Sequence, residues 1–270
     1  MNRMQEHMHY REVAPRQDLA PWVLSFWEFS VTAKIAPFVH RVFPDGCTVI
    51  SYSLRLPPEV PMLRVSGPLL GPREMIVHPP ATAWGVRLQP AACRAVLGCS
   101  PLAILNKTCE ANEIVEGRAN RELLEQLDRC ANFQDAIAAF EVFLRNQIQP
   151  GQLDTQMAKA ADRIARKRGQ LPISQIADSV GLGVRQLERR FKDAIGLTPK
   201  QFARARRFRT AAVALAKGSE RNWAELAAEL GFSDQPHLVR DFFSLSKIAP
   251  SDLGKLVRRI KHGRLVDPMP

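Results

Sequence analysis

No apolar run in this chain approaches the ~18 residues needed to cross a bilayer, so neither a membrane span nor a membrane partner is expected. Its start, Met1 to Tyr10, carries His, Glu and Arg in place of the apolar core of a signal peptide, which points to a soluble cytoplasmic protein of bacterial type. Cysteine is scarce: Cys47, Cys93, Cys99, Cys109 and Cys130 are odd in number and include no CxxC pair. That excludes a disulfide framework and the usual zinc spacing. Buried reduced thiols are expected, with redox sensing by Cys47 or Cys99 as the alternative. Catalytic signatures are missing too, since neither a GxSxG nucleophile nor an HExxH metal motif occurs. Asp45 and Cys47 flank a turn glycine while His40 and His78 lie elsewhere, so a turn Asp beside a core Cys is expected. No metal and no cofactor is expected, and an enzyme in the N-terminal half is kept only as the rival reading.

What is present is a lopsided charge. Residues 1–150 hold 15 Lys+Arg against 15 Asp+Glu, whereas residues 151–270 hold 23 against 12, which is the whole net charge of +11. A solvated basic helical surface would look the same. Asymmetry between the halves favours an electrostatic footprint for phosphates.

The basic half also repeats itself. Ile173, Ile176, Ala177, Val180 and Gly181 recur fifty residues later as Trp223, Leu226, Ala227, Leu230 and Gly231. A second amphipathic stretch follows each glycine, with Leu187 and Phe191 in one copy and Leu238 and Phe242 in the other, and each copy reaches a proline, Pro199 and Pro250. Apolar residues at i, i+3, i+4 and i+7, a turn glycine and another amphipathic helix read as helix-turn-helix. Small Ala177 and Ala227 sit where the two helices of a unit approach closely, and each glycine supplies a left-handed turn. Between the units, Pro199 to Ala216 reads as one linker helix, with Phe202, Ala205, Phe208, Ala212 and Leu215 on one face and Arg204, Arg206, Arg207 and Arg209 on the rest.

The runs Gly181–Phe202 (GLGVRQLERRFKDAIGLTPKQF) and Gly231–Phe243 (GFSDQPHLVRDFF) resemble the DNA-binding domain of AraC/XylS-type transcription regulators, a likeness that covers about Thr155 to Lys261. The resemblance implies double-stranded DNA as partner, two helix-turn-helix units entering successive major grooves, and a place at the bacterial nucleoid. RNA polymerase is a further implied partner. A methyl-accepting DNA-repair fusion also uses this family, but its zinc-binding cysteine cluster is missing here.

Within the first unit, Leu187 and Phe191 of the expected helix Val184–Ala194 must face the core, leaving Arg185, Gln186, Glu188, Arg189 and Lys192 outside. Arg185 and Arg189 share a face, and each can donate two hydrogen bonds to the O6 and N7 of guanine; Glu188 can accept from a cytosine amino group. Gly183 stands where many relatives carry a capping serine. In the second unit Gln235 can read adenine and Arg240 guanine, while Pro236 and Val239 offer apolar contact to a thymine methyl. Backbone contacts are assigned to Ser174, Lys192, Thr198, Lys200, Ser233, His237 and Ser251. Ser174 and Ser233 are also the expected N-caps of their helices. Asp241 and Phe243 replace residues that are often basic in relatives, which implies weaker binding by this unit. The tail Lys255–Arg264 reads as a basic helix against the DNA backbone.

Residues 1–150 read differently. After an arm at Met1–Met8, strands are expected in Tyr10–Val31, at Arg64–Ser66, Glu74–His78 and Thr82–Leu88, and Arg41–Leu54 has the form of a hairpin around Pro44-Asp45-Gly46. Beyond Gln89-Pro90, helices are expected at Ala91–Leu97, Pro101–Leu105, Ala119–Ala131 and Phe133–Ile148, the last with an apolar stripe of Ile137, Phe140, Leu144 and Ile148. The Pro44–Cys47 and Gly85–Gly98 runs resemble the N-terminal module of such regulators, which implies a small-molecule effector site and a homodimer contact. The fold class is therefore α+β. A β-rich, barrel- or sandwich-like regulatory domain with trailing helices (1–150) is expected before an all-α double helix-turn-helix domain (151–270), hinged at Pro150-Gly151. The expected function is sequence-specific transcription regulation, controlled by an effector or by a partner alone.

Overall fold

A computed structural model of the chain describes residues 8–54, 62–115, 117–216 and 223–248. Eight strands come first: β1 (Met8–Val13), β2 (Val23–Val31), β3 (Phe38–Val42), β4 (Val49–Leu54), β5 (Met62–Ser66), β6 (Arg73–Val77), β7 (Ala81–Leu88) and β8 (Thr108–Glu110). Three helices accompany them: α1 (Cys93–Leu97) before β8, then α2 (Gly117–Asp128) and α3 (Phe133–Gln147). Six helices follow: α4 (Thr155–Arg166), α5 (Ile173–Ser179), α6 (Val184–Ile195), α7 (Pro199–Ala216), α8 (Trp223–Glu229) and α9 (Gln235–Ser246). This is the expected α+β arrangement.

Six strands form one antiparallel sheet in the order β1-β2-β7-β4-β5-β8, and β3 pairs with β6 in a second, two-stranded sheet. Period-two alternation gives the large sheet two apolar faces. One face carries Phe26, Ile50, Tyr52, Val65, Trp84 and Val86, and α2 and α3 bury Leu123, Leu127, Phe133, Phe140 and Leu144 against it. On the other face Phe29 and Val31 meet residues of the small sheet, including Phe38, Met75 and Val77. The apolar stripe of α3 is thus spent inside its own subunit: Ile137 and Leu144 are buried, and Phe140 stacks on Phe26 at 6.5 Å.

Two expected elements change. Arg41–Leu54 is not a hairpin, because β3 pairs with β6 (Val39 opposite Ile76) while β4 pairs with β5 and β7. The turn instead carries the chain from one sheet to the other. Asp45 holds it by accepting from the Cys47 amide at 2.9 Å and pairing with Arg87 at 2.8 Å. Pro101–Leu105 forms turns, not a helix, closed by the bonds Ala103 N to Ser100 O and Lys107 N to Ile104 O. β8 has no sequence signal, since Thr-Cys-Glu at an edge shows no apolar alternation. The arm before Met8 lies outside the described residues.

Both halves share a core. Leu24, Cys47 and Ala91 of the β-rich half pack with Met157, Ile164, Phe191 and Phe202. Phe43 meets Phe208 of α7 at 5.5 Å. Gly46, at φ +81°, lies flat under the Phe202 ring, which a Cβ there would strike.

Candidate nucleic-acid interface

Each helix-turn-helix unit is built from a buried apolar set and a left-handed glycine. In the first, Ile176, Ala177, Leu187, Phe191 and Ile195 are buried together. Gly181 adopts φ +66° with open space beside its Cα, so backbone conformation, not crowding, selects glycine. In the second, Leu226, Ala227, Leu230, Leu238 and Phe242 form the equivalent set, with Gly231 at φ +71°. Phe208 of α7 joins this core, 4.9 Å from Phe242, so the linker helix is part of the second unit's interior.

Burying Leu187, Phe191 and Ile195 leaves the rest of α6 to solvent. Arg185, Gln186, Glu188, Arg189 and Lys192 are all exposed. The helix runs to Ile195 and ends at Gly196, φ +84°, whose amide bonds back to Lys192. Gly183 begins it without a side-chain cap; its amide donates instead to the Gln186 carboxamide at 3.4 Å, so part of Gln186 is engaged at the helix start. Arg190, absent from the sequence-derived site, turns away from this face. It forks onto Asp154 (2.9 Å) and reaches Gln156 (2.5 Å), while Asp154 also caps α4 through the Met157 amide. The exposed face of α6 is therefore held in place relative to α4.

On α9, Gln235, Pro236 and Arg240 are exposed and Val239 and His237 half-buried. The expected cap is displaced by one residue. Asp234, not Ser233, is the N-cap, its carboxylate accepting from the His237 amide at 2.6 Å. Aspartate reaches that amide and adds a negative charge at the positive helix end. Ser233 Oγ pairs instead with His237 Nδ1 at 3.1 Å, and the His237 ring stands edge-on to Phe232 at 5.2 Å. Ser174 likewise is no N-cap: α5 begins after Pro172, without a side-chain cap, and Ser174 lies exposed in its first turn. Thr198 does cap its helix, accepting from the Gln201 amide at 3.2 Å, while the Gln201 carboxamide accepts from the Thr198 amide at 2.9 Å. Lys200 is exposed one position into α7. Pro250, Ser251 and the basic tail Lys255–Arg264 lie outside the described residues.

The linker helix has the expected bounds, yet its arginines are not a solvent face. Arg206 is 1% exposed and Arg209 8%. Arg204 forks onto Asp241 of α9 at 2.8 Å, and Arg207 covers the Phe232 ring at 4.9 Å. Burial lowers the Arg207 pKa from its ordinary value, the largest influence on it. Asp241, expected to weaken DNA binding, is thus the partner that locks α9 to α7. The two units are also tied at the 168–170 segment, where Gln170 donates to the Glu229 carbonyl at 2.8 Å.

A buried ionic cluster joins α7 to the β-rich half. Glu12 on β1 accepts from Arg87 on β7 at 2.7 Å and from the Tyr10 hydroxyl, and Arg209 approaches it at 4.0 Å. Burial works to raise the Glu12 pKa, but Arg87, Arg209 and the Tyr10 bond together hold it below the ordinary value. Burial likewise pushes the Tyr10 hydroxyl up to about 12. Sequence reading missed this cluster because Glu12, Arg87 and Arg209 carry no shared spacing; only the packing of three distant segments unites them.

Among the described residues no group of three or more His, Cys, Asp or Glu could hold a metal ion, and no helix is long and apolar enough to cross a membrane. The family of helix-turn-helix domains matches residues 176–255, and a domain of unknown function, DUF6597, matches residues 11–110. No curated protein matches the chain. Among solved structures it is similar to a transcriptional regulator from Chromobacterium violaceum, described as an AraC-type DNA-binding domain-containing protein. That likeness has 24% identity over 40% of this chain and 96% of the other, with a TM-score of 0.36. It is also similar to ToxT from Vibrio cholerae O395 (10% identity, 86% and 96% covered, TM-score 0.44). A third is the unsaturated fatty acid-bound wild-type ToxT of Vibrio cholerae strain SCE256 (9% identity, 85% and 93% covered, TM-score 0.41).

Two helix-turn-helix units, each with a buried scaffold and an exposed polar second helix, make up the helical half of the described chain. Residues 176–255 are a helix-turn-helix domain.

Proposed function

We propose that α6 and α9 are the two DNA-reading helices and that residues 1–150 control how they are presented. The observation that carries this reading is the shared design of the two helices. Each buries one apolar face and leaves another uncovered, with Arg185, Gln186, Glu188 and Arg189 exposed on α6, and Gln235, Pro236 and Arg240 exposed beside half-buried Val239 on α9. Lys192, Thr198, Lys200, Ser174, Ser233, His237 and Ser251 are assigned to phosphates. A helix of 18 residues spans ~27 Å. That suits a spacer between major-groove faces ~34 Å apart.

Residues 151–270 constitute the DNA-binding domain and residues 1–150 the regulatory one. A small-molecule effector, or a second copy in a homodimer, acts on the latter and reaches the former through Glu12, Phe43 and Gly46. The protein works in the cytoplasm at the nucleoid, directing RNA polymerase, and its N-terminal half is a sensor, not an enzyme. A bound small molecule recovered unchanged from the purified protein supports the sensor; turnover of that molecule overturns it.

Binding titrations on duplexes selected from genomic DNA test the central claim. The full chain is expected to bind, with log K falling by ~0.9 per neutralised phosphate as log salt rises. A fragment of residues 1–150, neutral overall, is expected not to bind in the same salt. Equal binding by that fragment overturns the assignment.

A further inference from the structure

Two of the five thiols stand face to face. Cys93 opens α1 and is buried; Cys99 follows the helix, one residue beyond the left-handed Gly98 that turns the chain back. That turn brings the sulfurs to 3.9 Å, and the Cys93 thiol also lies 3.6 Å from the Cys99 carbonyl. Cys99 is half-buried and Cys93 fully buried, so Cys99 is the more accessible of the two. The other three lack such a partner: Cys47 is buried beside Asp45, Cys109 lies on the edge strand β8, and Cys130 donates to the Gln126 carbonyl at 3.2 Å.

The surroundings make this pair consequential. α1 lies against α6, and Gly196, the C-cap of α6, sits against the Pro101 carbonyl, where an added Cβ would come within 3.2 Å. Pro101 is two residues from Cys99. Any rearrangement of 98–101 therefore bears directly on the end of α6.

We propose that Cys93 and Cys99 are an oxidisable dithiol which a hydroperoxide converts to an intramolecular disulfide, and that closing it loosens the 98–101 segment from the end of α6. The Cys99 thiolate attacks one peroxide oxygen and the O–O bond breaks. The leaving alkoxide, or hydroxide where the oxidant is hydrogen peroxide, takes a proton to become the alcohol or water, and Cys99 is oxidised to the sulfenic acid while the peroxide is reduced. The Cys93 sulfur then attacks the Cys99 sulfur, and its proton departs with the sulfenic hydroxyl as water. The sulfurs must close from 3.9 Å to the ~2.05 Å of a disulfide, a movement that falls on the more accessible, non-helical Cys99 side. The hydrogen bond from Cys93 holds the Cys99 thiol below its ordinary pKa, against the effect of burial, and the same bond pushes Cys93 up, which favours the half-buried Cys99 as the attacking thiolate.

The test uses the full chain, reduced, desalted and treated with hydrogen peroxide. Peptide mass mapping is expected to show a Cys93–Cys99 linkage, two hydrogens lighter and reversed by dithiothreitol, with Cys47, Cys109 and Cys130 still alkylatable. Cys93→Ser is expected to stop at a dimedone-trapped sulfenic acid on Cys99. Amide hydrogen exchange in 98–101 and 195–198 is expected to quicken several-fold on oxidation of the native chain and not of Cys99→Ser. Equal oxidation of all exposed thiols, or a Cys109–Cys130 linkage, overturns the site. A disulfide with unchanged exchange at 195–198 overturns its link to α6. Neither readout involves DNA, so failure here is distinct from failure of the DNA-binding assignment.

Discussion

At the residue scale, the structure separates arginines that face solvent from arginines that hold the molecule together. Arg185, Arg189 and Arg240 are exposed, while Arg190, Arg204, Arg206, Arg207 and Arg209 are engaged by carboxylates, rings or burial. Counting basic residues therefore overstates the surface left for DNA. Arg189→Ala is expected to cost roughly 1–3 kcal/mol on the true operator and to flatten preference at one base pair. Lys200→Ala should instead weaken all sequences alike and lower the salt slope by about one. Titrations of both variants on the operator and on base-substituted operators, at several salt concentrations, check this. The reverse pattern would place the reading face elsewhere.

At the element scale, α7 is a strut that packs against both helix-turn-helix units. Phe202 lies in the first unit's core, Phe208 in the second's, and Arg204 reaches across to Asp241. Asp241→Lys shows what that costs. A basic residue would normally strengthen a DNA-facing helix, but here it sets a second cation against half-buried Arg204. The expected outcome is a stability loss of about 1–2 kcal/mol, less than for a fully buried pair because Arg204 keeps about a third of its side chain in solvent. No gain in DNA affinity should accompany it. Thermal unfolding beside a DNA titration decides: higher affinity with unchanged stability would show that Asp241 is not structural. The α3 stripe follows the same logic, because Ile137 and Leu144 are core residues of the subunit and not a free dimer face.

At the scale of the whole molecule, the two halves meet through apolar packing and one buried ionic cluster. Glu12 has a folded pKa below the 4.5 of the free carboxyl, so it contributes stability that is complete above that value. The contribution disappears as pH falls through the folded pKa, once the carboxyl is protonated in both states. Acidification below pH 4.5 should therefore weaken the contact between the halves. Glu12→Gln should lower stability near neutrality by about 2 kcal/mol, since Arg87 and Arg209 lose a charged partner, and should flatten the acid limb by one group. Melting temperatures of both proteins from pH 7 down to the acid limb are the check. Parallel curves would show that Glu12 does not couple the halves.

Much of the DNA-binding half was written in local pattern. Helical periodicity marked α5, α6, α7, α8 and α9, because a helix reports its buried face every three or four residues, and the glycines at 181 and 231 marked turns that other residues adopt at a cost. The exposed faces of α6 and α9 followed by elimination once Leu187, Phe191, Leu238 and Phe242 were turned inward. Strand existence was legible in the same way, but strand partners were not: Pro44-Asp45-Gly46 is turn chemistry whether it closes a hairpin or crosses between sheets. Caps slipped by a residue because Ser233 and Asp234 are both competent, and only backbone geometry chose Asp234. By itself, then, the sequence determined the class of most elements, β8 and the Pro101–Leu105 turns excepted, and the duplicated scaffold, since both rest on contacts within a few residues. Tertiary structure alone decided which arginines are buried, which thiols face each other and how Glu12 meets Arg209, because those contacts join segments whose separation along the chain carries no periodic trace.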